Sequence, residues 1–248
     1  SSQFRVLDLN MRRPLQNRVT PWGDLVADPV RYQVPTAVFG NRGCLHNQDK
    51  QVVRNFKSES WLACELVVSR NRPVQRDDNR AFNGRKRVVM TPGHYTELFF
   101  LDGYVALASG HRPCACCKRK EFNAFMALWA RVHPSRERWR AAAIDKQLHS
   151  ERLSEDRSKH TFRAALSELP DGTFVTLSGD EKDAWLLWKG TLHLWSHNGY
   201  HKHQSVTRAA DSDVSVLTPR SLVDVLKAGY DAGMPHHSVC YDFPEINS

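Results

Sequence analysis

Residues 97–119, ELFFLDGYVALASGHRPCACCKR, are the stretch of sequence that best indicates the fold. The apolar, aromatic run at residues 95–101 overlaps the beginning of this stretch, and such a run is typical of a β-strand. Cys114 and Cys117 lie near the end of the stretch, with two residues between them. In a reducing compartment, a pair at this spacing more often binds a metal than forms a disulfide. The stretch therefore predicts a strand that is followed in sequence by a metal-binding turn.

A closed structural zinc site needs two further ligands from elsewhere in the chain. Cys44 lies in a glycine-containing turn, residues 40–46, that suits metal ligation, and His46 follows it closely. Cys64 lies in the apolar run 61–69, which predicts a strand, and there it could equally be a buried core thiol. We expect either Cys64 or His46 to be the fourth ligand. The predicted zinc ligands are Cys44, Cys64, Cys114 and Cys117, whereas Cys116 is the weakest candidate.

The sequence on either side predicts a mixed α and β structure. A further strand is expected at residues 87–90, while proline and glycine make residues 10–45 mostly irregular. Apolar residues at helical spacing predict a helix over residues 118–132, and His133-Pro134 ends it. A second helix is expected over residues 136–153, with Trp139, Ala143 and Leu148 facing the core.

The second half of the chain contains short β-prone runs at residues 172–177, 184–188 and 191–195, which predict a small meander. Thr218 and Pro219 have the signature of a helix start. The predicted fold class is α+β, with a zinc-stabilised N-terminal module that has a small sheet and flanking helices, and a small β-rich C-terminal domain. The predicted domains are residues 1–133, a basic zinc-binding module, and residues 134–248, a helix followed by the β-rich domain.

The charge of the chain is unevenly distributed. The net charge is +8, but residues 1–132 contain 21 Lys and Arg against 11 Asp and Glu. Such one-sided basicity indicates a nucleic acid or another anionic partner. The segment 70–87 is rich in arginine, whose planar guanidinium suits phosphate. The predicted nucleic-acid-binding residues are Arg70, Arg72, Arg76, Arg85, Lys86, Arg87, Arg112, Lys118 and Arg119.

Residues 97–119 resemble the metal-binding domain of the Ada DNA-repair family. In that family an Arg-Phe-Phe strand is followed by a short Ala-rich helix and then by Gly-Phe-Arg-Pro-Cys-x-x-Cys. The turn at residues 39–44 resembles, more loosely, the turn that carries the first cysteine pair of the family. The second half of the chain has no counterpart. The matching positions are Phe99, Phe100, Ala106, Leu107, Ala108, Gly110, Arg112, Pro113, Cys114 and Cys117.

The resemblance implies zinc at Cys114 and Cys117 and DNA as the partner. Ada proteins bind zinc through four cysteines, and one thiolate accepts a methyl group from a DNA phosphotriester. The upstream Cys-x-x-x-Cys pair is absent here, since Gln48 stands where its second cysteine would fall. A four-cysteine site would have to recruit Cys64. This departure weakens the case for methyl transfer and leaves a zinc-stabilised scaffold as the expectation.

Catalytic candidates are few. Zinc nucleobase deaminases require His-x-Glu, and His94 and Glu97 are one residue too far apart. Asp145 and His149 fall four residues apart on one predicted helix face, which permits a metal-dependent nuclease, although an ordinary surface ion pair is favoured. The weak catalytic candidates are therefore Glu97, Asp145 and His149. Six histidines between residues 193 and 237 predict a structural loop rather than a second metal site or a base-stacking pocket.

No run of 18 apolar residues is present, which argues against a membrane span. The first 25 residues lack the apolar core of a secretory signal. We therefore expect a soluble, cytoplasmic protein. The sequence predicts a zinc-containing DNA-binding protein that recognises or processes damaged or modified DNA. The alternatives are a metal-dependent nuclease or nucleobase-modifying hydrolase, and a structural zinc protein with an acidic protein partner.

Overall fold

Two six-stranded β-sheets and four α-helices make up the residues that the structure describes, which confirms the α+β class. The structure is a computed structural model. The residues it describes are 14–32, 36–66, 88–178, 180–206 and 213–239.

The first sheet has the strand order β2-β1-β5-β3-β4-β6. Its strands are β1 (Gln16–Val19), β2 (Leu25–Ala27), β3 (Val38–Asn41), β4 (Leu62–Glu65), β5 (Leu98–Phe100) and β6 (Arg112–Pro113). Residues 10–45 are mostly irregular where they are described, as expected, but three short strands that the sequence did not predict lie there. The turn formers of this region connect the strands; Gly23, between β1 and β2, has a φ of +96°.

The prediction of a strand at residues 87–90 was wrong for the part that the structure describes, since residues 88–90 contain no strand. Residues 89 and 90 belong to a turn, and Met90 has a positive φ of 56°. The Met90 backbone N–H donates to the Glu97 carboxylate rather than to a neighbouring strand. Arg87 lies outside the described residues.

The helices are α1 (Gly103–Ala108), α2 (Arg119–Val132), α3 (Ala141–Arg152) and α4 (Arg220–Lys227). Helix α2 begins and ends as its periodicity predicts, and it buries Phe125 and Trp129. Helix α3 begins five residues later than expected and buries Ile144 and Leu148, while Ala143 is exposed. Pro219, rather than Thr218, is the N-cap of α4.

The second sheet has the strand order β11-β10-β9-β8-β12-β7. Its strands are β7 (Phe162–Ala165), β8 (Phe174–Leu177), β9 (Asp180–Trp188), β10 (Thr191–Ser196), β11 (Gly199–Ser205) and β12 (Asp213–Val216). Strands β8 to β11 pair antiparallel in sequence order, which is the predicted meander.

A shared hydrophobic core joins the two halves of the chain. Phe100 and Trp129 from the first half belong to the same buried cluster as Phe174 and Leu186 from the second. Buried Asp102 adds a polar link, because it caps α1 and also accepts a hydrogen bond of 2.8 Å from the Tyr200 hydroxyl. The division at residues 133 and 134 stays a prediction.

Candidate metal centre

Cys64, Cys114 and Cys117 form the candidate metal centre, with their sulfur atoms within 4.8 Å of one another. The strands bring them together. Strand β4 runs parallel to β6 and aligns Ala63 with Pro113, so Cys64 within β4 lies beside Cys114, the residue directly after β6. The Cys114 backbone N–H donates to the Ala63 carbonyl at 2.9 Å, which holds Cys114 beside Cys64.

A tight turn brings Cys117 to the same place. The Lys118 backbone N–H donates to the Cys114 carbonyl at 3.0 Å and closes the turn. Inside it, the Cys116 backbone N–H donates to Cys114 Sγ at 3.4 Å. Hydrogen bonds to sulfur favour the charged thiolate, which is the form that binds a metal. The turn therefore supplies the predicted pair of ligands.

Apolar side chains surround the centre. Cys64 and Cys114 are buried, Cys117 is half-buried, and Phe39 belongs to the same buried cluster, with Phe99 packed against it. Burial of a charge in such surroundings is unfavourable in free energy unless a partner of opposite charge or a hydrogen-bond donor is present. This environment strengthens any interaction between the thiolates and a cation.

Hydrogen bonds among the three thiols shift their pKa values in opposite directions. Hydrogen bonds from Cys117 and then Cys64 lower the pKa of Cys114. The hydrogen bond with Cys114 raises the pKa of Cys117, and hydrogen bonds with Cys114 and Cys117 raise that of Cys64. Three thiolates together would repel one another, and a bound cation is the means of holding all three in the charged form.

The donor set fits a thiophilic metal ion. A zinc–thiolate bond of about 2.3 Å at the tetrahedral angle separates two sulfur atoms by about 3.8 Å, and the observed spacing requires only small shifts to meet it. Thiolates select zinc, copper(I) and iron–sulfur clusters over hard cations such as magnesium. Within the described residues, this is the one group of three potential ligands at such spacing.

The structure does not bring Cys44 or His46 into the centre, which corrects two of the predicted ligand choices. The Cys44 thiol contacts the backbone carbonyl of His46 at 3.7 Å. Both ring nitrogens of His46 have protein partners, namely the Thr96 hydroxyl at 2.6 Å and the Thr91 carbonyl at 3.1 Å. The choice left open between Cys64 and His46 therefore falls on Cys64. Cys116 is exposed and outside the group.

The structure buries Arg112, one of the predicted nucleic-acid-binding residues. It is 4% exposed, and its guanidinium donates through Nε and Nη2 to the two carboxylate oxygens of Asp145, each at 2.7 Å. A buried bidentate pair leaves this arginine nothing to offer a phosphate. The pairing also corrects the expectation for Asp145, which lies in a buried ion pair rather than at the surface.

The remaining catalytic candidates lie outside the cysteine group. Glu97 is fully buried, and its carboxylate accepts the Met90 N–H at 2.6 Å. His149 packs edge-on against Phe56 and contacts an Arg152 nitrogen at 2.9 Å. Burial and then Arg152 lower the pKa of His149.

The other predicted cations divide into two groups. Lys118 and Arg119 follow Cys117 in sequence, at the start of α2. Arg119 is exposed and Lys118 is half-buried. Six predicted nucleic-acid-binding residues lie outside the described residues: Arg70, Arg72, Arg76, Arg85, Lys86 and Arg87.

Basic side chains that the sequence analysis did not single out lie around Trp61, and we call them the cation cluster: Arg42, Arg152 and His111 are buried and Lys159 is half-buried. The guanidinium carbons of Arg42 and Arg152 lie 3.7 and 4.0 Å from the centre of its ring. His111 is fully buried beside them and accepts from Arg42 Nε at 3.2 Å. Lys159 Nζ donates to the Ala108 carbonyl at 2.5 Å. Spacings of up to 117 residues separate these side chains, so no local pattern signals the cluster.

The histidine-rich segment belongs mainly to strands rather than to a loop. His193 on β10 and His203 on β11 are cross-strand partners whose Nδ1 atoms lie 2.6 Å apart. Tyr200 is 2% exposed, so it does not offer a face to a nucleic-acid base.

No described helix is long and apolar enough to cross a membrane. Comparisons with family models, with curated proteins and with solved structures find no match. The resemblance to the Ada metal-binding domain stays a prediction.

Proposed function

We propose that this chain is a zinc-containing DNA-binding protein that recognises or processes damaged or modified DNA. The observation that carries the proposal is the three-thiol centre at the start of a helix whose first residues are cations. The strongly basic composition of residues 1–132 supports the choice of a polyanionic partner.

Cys64, Cys114 and Cys117 would be the zinc ligands. A bound zinc ion supplies a strong crosslink between segments that are far apart in sequence. Here Cys64 belongs to β4 and the other two belong to the turn before α2. Their attachment to one ion would fix the start of α2 against the first sheet.

The cations near the centre would contact DNA phosphates. Arg119 and Lys120 are exposed in the first turn of α2, where positive charge is unfavourable to the helix dipole. The arginine-rich segment 70–87 begins five residues after Glu65, the last residue of β4. Phosphate contacts give affinity and register, so reading of a lesion or modified base would need further contacts.

Metal analysis of single cysteine variants tests the proposal. We expect one zinc per wild-type chain, and loss of that zinc in Cys64→Ser, Cys114→Ser and Cys117→Ser. Cys116→Ser is the matched control, since Cys116 lies in the same turn outside the group. It should retain the metal, as should Cys44→Ser. Metal-free wild-type protein would overturn the assignment.

DNA binding by the same proteins tests the second half of the proposal. Wild-type protein should bind DNA with an affinity that falls steeply with salt, and Arg85→Ala/Lys86→Ala/Arg87→Ala should reduce the salt slope by up to about 3. An unchanged slope would remove that segment from the interface. Absence of DNA binding at low salt would overturn the proposed function.

A second candidate function, metal-dependent hydrolysis of nucleic acid, is favoured by the number of ligands. Structural zinc sites usually have four protein ligands, whereas catalytic sites have three and leave a position for water or substrate. The described residues provide three. Plasmid nicking by wild-type and Cys116→Ser protein that stops on chelation, and is absent from Cys114→Ser, would favour this candidate over DNA binding alone.

A further inference from the structure

A groove of about 900 Å³ lies between α2 and the start of α3. Phe122 and Met126 of α2 form one wall, and residues 137–143 form the other. We call it the α2–α3 groove. Its volume is in the range of sites that hold ligands of a few hundred daltons. None of the predicted site residues lines it, so it is independent of the sequence-based assignments.

Aromatic side chains give the groove flat apolar surface. Phe122 and Trp139 are both half-buried, and each lines the groove. The Trp139 ring is held in place, since its indole N–H donates to the His133 carbonyl at 2.7 Å and the ring packs edge-on against Trp129. A fixed aromatic ring at a groove is a good surface for stacking, because little side-chain entropy is lost on binding.

Positive charge borders this apolar surface. Arg138 and Arg140 line the groove and are exposed, against a single acidic residue, Glu137. The first turn of α3 also lines the groove and contains no acidic residue, and no side chain caps the helix. Two guanidinium groups together with the positive end of α3 favour an anionic ligand.

Side-chain contacts and helix α2 link the groove to the metal centre. Arg112, two residues before Cys114, is paired with Asp145 of α3, and its guanidinium lies 5.5 Å from the centre of the Phe122 ring on α2. Helix α2 itself begins two residues after Cys117. One buried arginine therefore joins both walls, and the cysteine turn sets where α2 starts.

We infer that the α2–α3 groove binds a single-stranded segment of DNA, with a base against Phe122 and Trp139 and the adjoining phosphates at Arg138 and Arg140. The inference rests on the proposed function. Single-stranded DNA is the occupant that matches both properties of the groove, since its bases expose their flat faces and its phosphates are close by. In duplex DNA the faces are stacked on neighbouring bases and the aromatic wall would be unused.

Fluorescence anisotropy with a labelled 15-nucleotide single strand, and with the corresponding duplex, tests the inference on the metal-loaded full chain. Arg138→Ala/Arg140→Ala should weaken single-strand binding at least tenfold and reduce the salt slope by one to two, roughly one for each phosphate that is no longer neutralised. Phe122→Leu retains apolar volume without the flat ring, and should weaken single-strand binding about fivefold with an unchanged salt slope.

Arg136→Ala/Lys182→Ala is the matched control, since both residues are exposed and neither lines the groove. It removes the same charge and should bind the single strand within about twofold of wild type. Thermal melting checks that each variant is folded.

The outcomes separate the two proposals. Wild-type binding with unchanged affinity in Arg138→Ala/Arg140→Ala would overturn the groove assignment and leave the proposed function standing. Equal losses in that variant and in Arg136→Ala/Lys182→Ala would also overturn it, because net charge alone would then explain the effect. Wild-type protein that binds neither probe at about 100 µM, the weak end of non-specific DNA binding, would overturn the proposed function itself.

Discussion

The β4–β6 strand pair has a cysteine cluster at one end and a cation cluster at the other. Trp61 precedes β4 and Cys64 lies within it, while His111 precedes β6 and Cys114 follows it. Both clusters concentrate groups of one chemical type in a buried place. They differ in where the partners of those groups come from.

The cation cluster is supplied with partners by the fold. Arg42 donates to the Gly23 carbonyl at 2.9 Å, and Arg152 donates to the carbonyls of Gly110 and Glu59 at 2.9 and 2.6 Å. Both guanidiniums also stack on Trp61, and such cation–π contacts are strongest when water is excluded. Backbone carbonyls and an aromatic ring thus surround the two guanidiniums, while Arg42 Nη2 and Arg152 Nε have no hydrogen-bond partner among the described residues.

The cysteine cluster has the opposite arrangement. The partners of its thiols are one another and a few backbone N–H groups. Full ionisation of the three thiols therefore needs a cation from solution. The comparison teaches that a cluster of like groups indicates a ligand site where the groups have mainly one another as partners, and a structural site where backbone carbonyls and an aromatic ring surround them.

Removal of the metal is expected to have the largest effect of the changes that test this comparison. A metal held at a thousand times its dissociation constant stabilises the folded state by about 4 kcal/mol. A strong chelator should therefore lower the free energy of unfolding of wild type by at least about that amount. Thermal and urea unfolding of wild type before and after chelation measures the loss.

Two variants make this test specific. Cys64→Ser should unfold alike with and without chelator, whereas Cys116→Ser should lose as much stability on chelation as wild type. If metal removal leaves the unfolding of wild type unchanged, the two ends of the strand pair do not differ in the way described.

Replacement of Trp61 by leucine is expected to have a somewhat smaller effect. The substitution removes a buried ring and the π surface beneath two guanidiniums, at a cost of about 3 kcal/mol. Trp61→Phe keeps an aromatic face and should cost less. Urea unfolding of both variants measures these costs.

The metal content of the same variants sharpens the comparison. Both should retain one zinc per chain, because the partners of the cation cluster are internal and the cysteines lie at the far end of the strands. Loss of zinc from Trp61→Phe would show that the two clusters are coupled rather than independent.

Much of the metal centre and of its setting follows from local sequence. The spacing of Cys114 and Cys117 and the helical period of α2 each require only a few consecutive residues to be recognised. Cys64 was a candidate ligand because a closed zinc site needs ligands from elsewhere in the chain, and its apolar run equally allowed a buried core thiol. The parallel register that places it beside Cys114 is a tertiary property and had no signal in the sequence.

The errors have a common physical cause. The pairing of Arg112 with Asp145 joins residues 33 positions apart, so each looked exposed when judged by its neighbours. Cys44 has good local chemistry for ligation, but β3 directs its turn toward Thr96 and away from the cysteines. Turn formers likewise hid β1 to β3, because the packing of short strands against the rest of the sheet outweighs weak local propensity.

The pH dependence of stability provides the most local of the tests. Burial, followed by the charges of Arg42 and Arg152, lowers the pKa of Lys159 to about 7. In the unfolded chain this amine keeps a pKa of about 10.4. Between these values the unfolded state binds more protons, so stability rises as pH increases through this window. Lys159→Met removes the titrating amine, retains the aliphatic stem, and should flatten that rise.

Urea midpoints of wild type and Lys159→Met, measured between pH 7 and pH 9.5, give the difference in stability between the two proteins at each pH. The titration of groups that both proteins contain cancels in this difference. Lys182→Met, an exposed lysine on β9, is the control and should follow wild type throughout. The advantage of Lys159→Met over wild type should be greatest near pH 7 and diminish toward pH 9.5. A constant difference would mean that Lys159 titrates normally, and that the cation cluster leaves this amine as well solvated as a surface lysine.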